Sequence, residues 1–164
     1  MGFLRRKHGD DAPRPEIYEG LGAQVLQLTA NQLGEAFADA SILALLMETG
    51  YAQVVATLVG VADGTSSLYF SNGGGIIGAG THAAVADANA HWLEAGRAAL
   101  PHLSPVAGPP PPTEGMTQFV AVTPSGLFGA VAAEAELGAG RHPLSPFFYA
   151  GHGVITQIRL TQNG

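Results

Sequence analysis

Two short turn signals constrain this chain more than any other feature of its sequence. Asp63-Gly64 and Asn72-Gly73 each follow a short run that is rich in apolar residues. Aspartate or asparagine followed by glycine between two such runs is a strong hairpin signal. The pattern therefore predicts a meander of antiparallel strands over about residues 42–49, 54–62, 66–71 and 75–79.

Helical spacing appears on both sides of this meander. Apolar residues recur every three or four positions over residues 15–29, and Thr29 and Gln32 have the spacing of a capping box, so that a short second helix is expected to follow. A long helix over about residues 82–100, capped by Thr81, is predicted by one apolar stripe. Its members are Val85, Ala88, Trp92, Ala95, Ala99 and Leu103.

The second half of the chain begins with a proline-rich loop at residues 104–115, which we interpret as stiff and extended. Residues 118–123 and 127–137 then predict a hairpin of two strands. Ser145 and Pro146 resemble the cap and first residue of a helix that extends to about residue 160. Alternation over residues 154–161 also fits a strand, and the helix is the interpretation we adopt.

This element order predicts an α+β fold, in which helices cover an antiparallel sheet of about five to six strands. A length of 164 residues suits one domain. We expect a disordered basic tail at residues 1–14 and a single domain over residues 15–164. Charged residues are only 12% of the chain, about half the usual share, so the surface of that domain is unusually poor in charge.

The distribution of charge excludes several classes of function. Four of the seven basic residues lie in the first fourteen positions, whereas residues 16–164 contain three basic and eleven acidic residues. Such a body offers no surface for nucleic acid. The chain has no cysteine, hence no disulfide, thiolate nucleophile or cysteine-bound zinc. No apolar stretch approaches about 18 residues, so we expect no membrane span and predict a cytoplasmic protein.

Residues 54–160 resemble the roadblock/dynein light chain family and its profilin-like or longin-like relatives. The resemblance rests on the run at 54–71 with its Asp-Gly turn, the helix that follows, the run at 119–131 and a terminal helix. It implies a small homodimeric scaffold that pairs through a helix and an edge strand. Many members of that family bind or regulate small GTPases or motor assemblies. The resemblance carries over no functional residue, because none matches a motif.

Three glycines support the main alternative to a binding scaffold, which is a nucleotide-binding site. Gly73, Gly75 and Gly78 have the G-x-G-x-x-G spacing, after a predicted strand and before a helix. In that context backbone amides can approach a pyrophosphate at a helix N-terminus. A glycine-rich hairpin with a bulge explains the same residues, and we favour it.

Two groups of acidic residues are further candidates. His91 lies between Asp87 and Glu94 at helical spacing, which suits either a metal site or, as we favour, a solvated helix face. Glu134 and Glu136 share one face of the predicted strand at about 7 Å. That separation fits acid/base chemistry or a hard cation, although acids on a strand more often protect an edge from aggregation, and we favour that interpretation.

The remaining candidates lie near the end of the chain. His142, Ser145 and His152 lack the orienting group that a serine nucleophile requires. The aromatic residues nearby serve either the core or a partner surface, and the residues that we predict for such a surface are Trp92, Phe147, Phe148 and Tyr149. The run Pro109–Pro112 fits a polyproline ligand or, as we favour, a spacer.

Together these observations predict a non-enzymatic, homodimeric protein-protein interaction or scaffold module without a cofactor. By resemblance, it regulates a small GTPase or an assembly. The alternative is a nucleotide-binding protein or a nucleotide-dependent enzyme that uses the loop at residues 73–80.

Overall fold

The computed structural model of the chain describes residues 24–77 and 79–162. The predicted basic tail at residues 1–14 and most of the first predicted helix lie outside the described residues. Residues 24–26, at the end of that helix, are helical.

Seven strands form one sheet in the order β4-β3-β2-β1-β6-β7-β5, and every neighbouring pair is antiparallel. The predicted α+β class is therefore confirmed, with more strands than the five to six expected. The additional strand, β5, lies inside the predicted proline-rich loop, which the sequence indicates to be stiff and extended but not paired. The strands are β1 (Ala44–Gly50), β2 (Val55–Val61), β3 (Ser66–Phe70), β4 (Gly75–Ile77), β5 (Ser104–Val106), β6 (Met116–Thr123) and β7 (Gly126–Ala133).

Four α-helices lie entirely within the described residues, in addition to the helical residues 24–26: α1 (Ala30–Leu33), α2 (Ala83–Ala99), α3 (Glu134–Gly138) and α4 (Ser145–Thr161). The long helix and the final helix are confirmed, but their predicted caps are wrong. The N-cap residues are His82 and Leu144, and neither makes a side-chain capping bond. At α1 the backbone N–H of Thr29 donates to Gln32 Oε1 at 2.8 Å, which is the reciprocal half of a capping box.

One face of the sheet is covered by the two long helices. α2 and α4 bury Trp92 and Phe147 there, and Phe147 stacks on Phe119 of β6 with ring centroids 4.8 Å apart. Glycines allow this close approach: a Cβ on Gly60 would lie 2.8 Å from the Trp92 ring, and one on Gly151 would lie 2.8 Å from Met47 Cε. We call this the helix-covered face.

The opposite face has a second, smaller apolar cluster. Leu46, Val59 and Val120 of β1, β2 and β6 belong to the same buried cluster as Val25 and Leu28, so the chain segment before β1 packs on this face of the sheet. Successive side chains of a strand point to opposite faces, which is why Leu46 lies here while its neighbours Leu45 and Met47 lie under the helices. We call this the second face.

The predicted strand over residues 127–137 is too long. β7 ends at Ala133, and α3 begins at Glu134, whose N–H donates to the carbonyl oxygen of Gly115 at 2.9 Å. The alternation of alanine with glutamate resembles a strand with one polar face. Alanine, glutamate and leucine are also strong helix formers, and here that preference decides the conformation.

Candidate functional site

The glycines at residues 73–75 form the turn of the β3–β4 hairpin. Gly73, Gly74 and Gly75 all have positive φ, and the N–H of Phe70 donates to the Gly74 carbonyl oxygen at 3.2 Å. A dinucleotide loop leads from a strand directly into a helix, whereas this turn leads into the antiparallel strand β4. Gly78, the third predicted glycine, lies outside the described residues. The two that are described fit the hairpin interpretation.

Asp87, His91 and Glu94 lie exposed on α2. Glu94 forms an exposed ion pair with Arg97 at 3.5 Å. Among residues 24–77 and 79–162, no three His, Asp or Glu side chains form a set that could hold a metal ion. This arrangement is that of a solvated helix face.

Glu134 and Glu136 are not on a strand face, as predicted, but in the first turn of α3. Both carboxylate oxygens of Glu136 accept hydrogen bonds from the Arg141 guanidinium at 3.0 Å. These bonds lower the pKa of Glu136, which is about half exposed. Glu136 therefore ties the end of α3 to the loop that follows it.

Burial separates the four residues of the predicted partner surface. Trp92, Phe147 and Phe148 are 0%, 1% and 6% exposed, so they anchor the core and present no surface to a partner. Tyr149 is 49% exposed, and its hydroxyl donates to the carbonyl oxygen of Gly138 at 2.9 Å. Helical spacing places Phe147 and Phe148 toward the sheet, and only Tyr149 remains accessible from outside.

The polar residues around the start of α4 stabilise the turn before it. The Ser145 hydroxyl donates to the Leu137 carbonyl oxygen at 2.8 Å, and His142 Nδ1 accepts from the Leu144 N–H at 3.0 Å. Ser145 is buried, and its hydroxyl also accepts a hydrogen bond from the backbone N–H of His142 at 3.3 Å, so it contacts that histidine through its backbone and not through its imidazole. Pro109–Pro112 connects β5 to β6 within one sheet, so it is a connection inside the fold and not a spacer between domains.

His152 lies on α4 beside Phe148, with ring centroids 4.4 Å apart. Burial lowers the pKa of His152, and the charges of Glu134 and Arg159 act on it in opposite directions. Burial also raises the pKa of Tyr51, which lies after β1, and the same two charges act on it. The side chains of Tyr51, Glu134, His152 and Arg159 therefore lie near one another.

Sequence reasoning missed a row of polar side chains across the second face. Tyr69, Thr57, Glu48 and Gln118 are direct cross-strand neighbours on β3, β2, β1 and β6, and we call them the Glu48 row. Thr57 Oγ1 donates to Glu48 Oε2 at 3.4 Å, and Gln118 Nε2 donates to Glu48 Oε1 at 3.3 Å. The signal in the sequence is one acid within the apolar run over residues 42–49.

The outer side of β7 was also not predicted. β5 pairs only with Leu127, Phe128 and Gly129, and no described strand pairs with residues 130–133 on that side. We call these four residues the open β7 edge. They carry no charge, and Val131 is 52% exposed.

No helix in the described part of the chain is both long enough and apolar enough to cross a membrane. Neither a family model nor a curated protein nor a solved structure matches this chain. The resemblance to the roadblock/dynein light chain family therefore stays a prediction that rests on the residues of the chain alone.

Proposed function

We propose that this chain is a non-enzymatic interaction module that pairs with a second copy of itself through the open β7 edge. The observation that carries the proposal is an edge segment without charge, proline or strand partner among the described residues. Native sheets usually protect such edges with charges, prolines or a covering element, because unpaired N–H and C=O groups recruit another strand.

The backbone of this edge is oriented for pairing. Pro105 has no amide hydrogen, so its pair with Phe128 is a non-hydrogen-bonded one, and the flanking Gly129 and Leu127 direct their N–H and C=O groups toward β5. That direction repeats every second residue. The backbone N–H and C=O groups of Val131 and Ala133 therefore point outward, where they can form hydrogen bonds with a further strand.

Only one half of this side of β7 is protected from pairing with a further strand. Where β5 covers residues 127–129, the missing amide of Pro105 blocks further pairing beyond β5, as prolines on edge strands do. The open β7 edge has no such block. Its lack of charge also suits self-pairing, because a twofold axis brings identical residues together and identical charges there would repel. The chain as a whole has a net charge of −6, so an edge without acids is the more favourable place for two copies to meet.

Sedimentation equilibrium of the full chain at micromolar concentration tests this proposal. We expect a dimer for the unmodified chain and at least a tenfold weaker association for Val131→Lys, because an edge lysine opposes its own copy across the twofold axis. Ser125→Lys is the matched control, since it adds the same charge to the exposed β6–β7 turn. Circular dichroism establishes that both variants are folded.

A strict monomer for the unmodified chain would overturn the proposal, as would equal association of the two lysine variants. The narrower role, regulation of a small GTPase or an assembly, is supported by the resemblance alone. Copurification from the native host tests it: identification of a small GTPase or its regulator with the unmodified chain supports that role, and its absence removes it.

A further inference from the structure

The four prolines at positions 109–112 belong to a loop that the sheet holds at both ends. Before them β5 pairs with β7, and after them β6 begins at Met116. The Gly115 N–H donates to the carbonyl oxygen of Gly50 at 2.9 Å, and Glu114 forms a parallel bridge with Gly50 at the end of β1. The prolines are therefore presented by a loop whose two ends are fixed.

The conformation of this run follows from the chemistry of proline. Each proline ring fixes φ near about −65°, and a residue that precedes proline is restricted to extended conformations. Pro109, Pro110 and Pro111 are each followed by proline, and every peptide bond in the described part of the chain is trans. These residues therefore form a short polyproline II helix. Gly108 and Gly115, with φ of 77° and 79°, turn the chain before and after it.

This polyproline II helix directs two of its rings outward. Because it has about three residues per turn, Pro109 and Pro112 lie on the same side of it. Both are partly buried, whereas Pro110 and Pro111 between them are exposed. Within residues 24–77 and 79–162, no hydrogen bond is donated to the carbonyl oxygens of Pro110 and Pro111. We call these two residues, with their exposed rings and carbonyl groups, the proline ridge.

We propose that the proline ridge docks into an aromatic groove on a partner protein. Polyproline II segments are recognised in this way by SH3, WW and EVH1 domains, whose grooves are lined with aromatic side chains. The rings of proline pack on the aromatic rings, and a tryptophan N–H or tyrosine O–H at the groove donates to a proline carbonyl oxygen. Little conformational entropy is lost on binding, because the ridge is already ordered by proline and by the fixed ends of its loop.

The charge beside the ridge indicates which kind of groove fits it. Pro109 and Pro112 have the P-x-x-P spacing, and the exposed Glu114 follows two residues later. SH3 domains that bind this spacing commonly hold a Lys or Arg near that position in an acidic pocket, and such a pocket repels an acid. No Lys or Arg occurs between Arg97 and Arg141. The ridge therefore suits an aromatic groove with a neutral or basic rim, of the kind that a WW domain can present.

Titration of the full, isotope-labelled chain with an isolated WW domain tests the proposal. The domain is selected on the free peptide of residues 107–114, so that its groove is known to accept this sequence. We expect the backbone amide signals of Gly108 and Thr113, which flank the prolines, to shift on binding, while those of α2 stay unchanged. The chain should bind at least as tightly as the peptide, because its proline ridge is already ordered. Binding of the peptide without binding of the chain would overturn the proposal.

Proline variants separate contact with the ridge from nonspecific association. The double change Pro110→Ala and Pro111→Ala should weaken binding by about fivefold or more, because it removes both exposed rings. Pro124→Ala, which removes an exposed proline from the β6–β7 turn, is the matched control and should bind like the unmodified chain. Circular dichroism establishes that the variants are folded. Equal binding of the double variant and of Pro124→Ala would contradict the proposal.

A change of charge tests the kind of groove. An SH3 domain with an acidic pocket should bind Glu114→Arg more tightly than the unmodified chain, because the variant supplies the missing base. If this domain binds both chains equally well, the groove that we assign from charge is wrong. The open β7 edge contributes no residue to the proline ridge, so a monomeric chain leaves this proposal standing while the proposed function fails.

Discussion

The two faces of the sheet are built from the same strands, yet they are stabilised differently. On the helix-covered face Met47 lies among Trp92, Phe119 and Phe147. Its neighbour Glu48 points to the second face, where hydrogen bonds from Thr57 and Gln118 take the place of apolar packing. The helix-covered face is therefore stabilised by close packing of apolar side chains, whereas the centre of the second face depends on hydrogen bonds between polar side chains.

The largest expected effect comes from opening the helix-covered face. Phe147→Ala removes a ring that is 1% exposed and stacks on Phe119, so we expect the free energy of unfolding to fall by about 3–5 kcal/mol. Tyr149→Ala, in the same helix but 49% exposed, is the control and costs about 1 kcal/mol through its hydrogen bond. Urea denaturation of both variants measures the difference. Equal losses would mean that α4 is not anchored by Phe147.

A smaller effect is expected from removing the hydrogen bond between two threonines on the helix-covered face. Thr49 and Thr117 are buried cross-strand neighbours on that face, with their hydroxyl oxygens 3.0 Å apart. Thr49→Val leaves the Thr117 hydroxyl without this partner, at a cost of about 1–3 kcal/mol. The double change to valine recovers most of this loss, because both polar groups are then replaced by apolar groups of similar shape. Urea midpoints that fall additively in the double variant would contradict this account.

The smallest effect is a dependence of stability on pH. Burial against Phe148 lowers the pKa of His152 below its ordinary value of 6.5. Above that pH the histidine is neutral in both states and contributes nothing. As pH falls through 6.5 the unfolded chain binds the proton first, so the folded state loses stability.

His152→Gln should reduce this loss, measured as the fall in the unfolding free energy between neutral and mildly acidic pH. The effect is modest because the ring is only partly buried. His91→Gln, which removes an exposed imidazole from α2, controls for the loss of a histidine as such. An unchanged pH profile in His152→Gln would show that burial of this ring does not govern the acid sensitivity.

Local pattern predicts the parts of the fold that local interactions determine. The Asp63-Gly64 turn and the apolar stripe of α2 are both readable from neighbouring residues, and both strands around that turn and the helix are present. β5 was missed because its pairing with β7 is a tertiary event, which Pro105 tolerates because its pair with Phe128 is a non-hydrogen-bonded one. The end of β7 at Ala133 was missed because alanine and glutamate satisfy a strand pattern and a helix preference equally well.

The candidate sites show the same limit more sharply. The isolated acid Glu48 is visible in the sequence, but its significance depends on Gln118, which is 70 positions away and becomes a neighbour only when β1 pairs with β6. The open β7 edge depends on where β5 stops. Neither fact follows from spacing within one element, because both arise from the register between strands.

The central position of β1 has a consequence for how the chain folds during synthesis. β2, β3 and β4 follow directly and can form the meander early, but the other side of β1 pairs with β6, which begins 66 residues after β1 ends. At translation rates of about 5–20 residues per second, β1 waits about 3–13 s for that partner. During this interval the nascent sheet exposes a largely apolar strand, and a chaperone that binds extended apolar segments would find its target there.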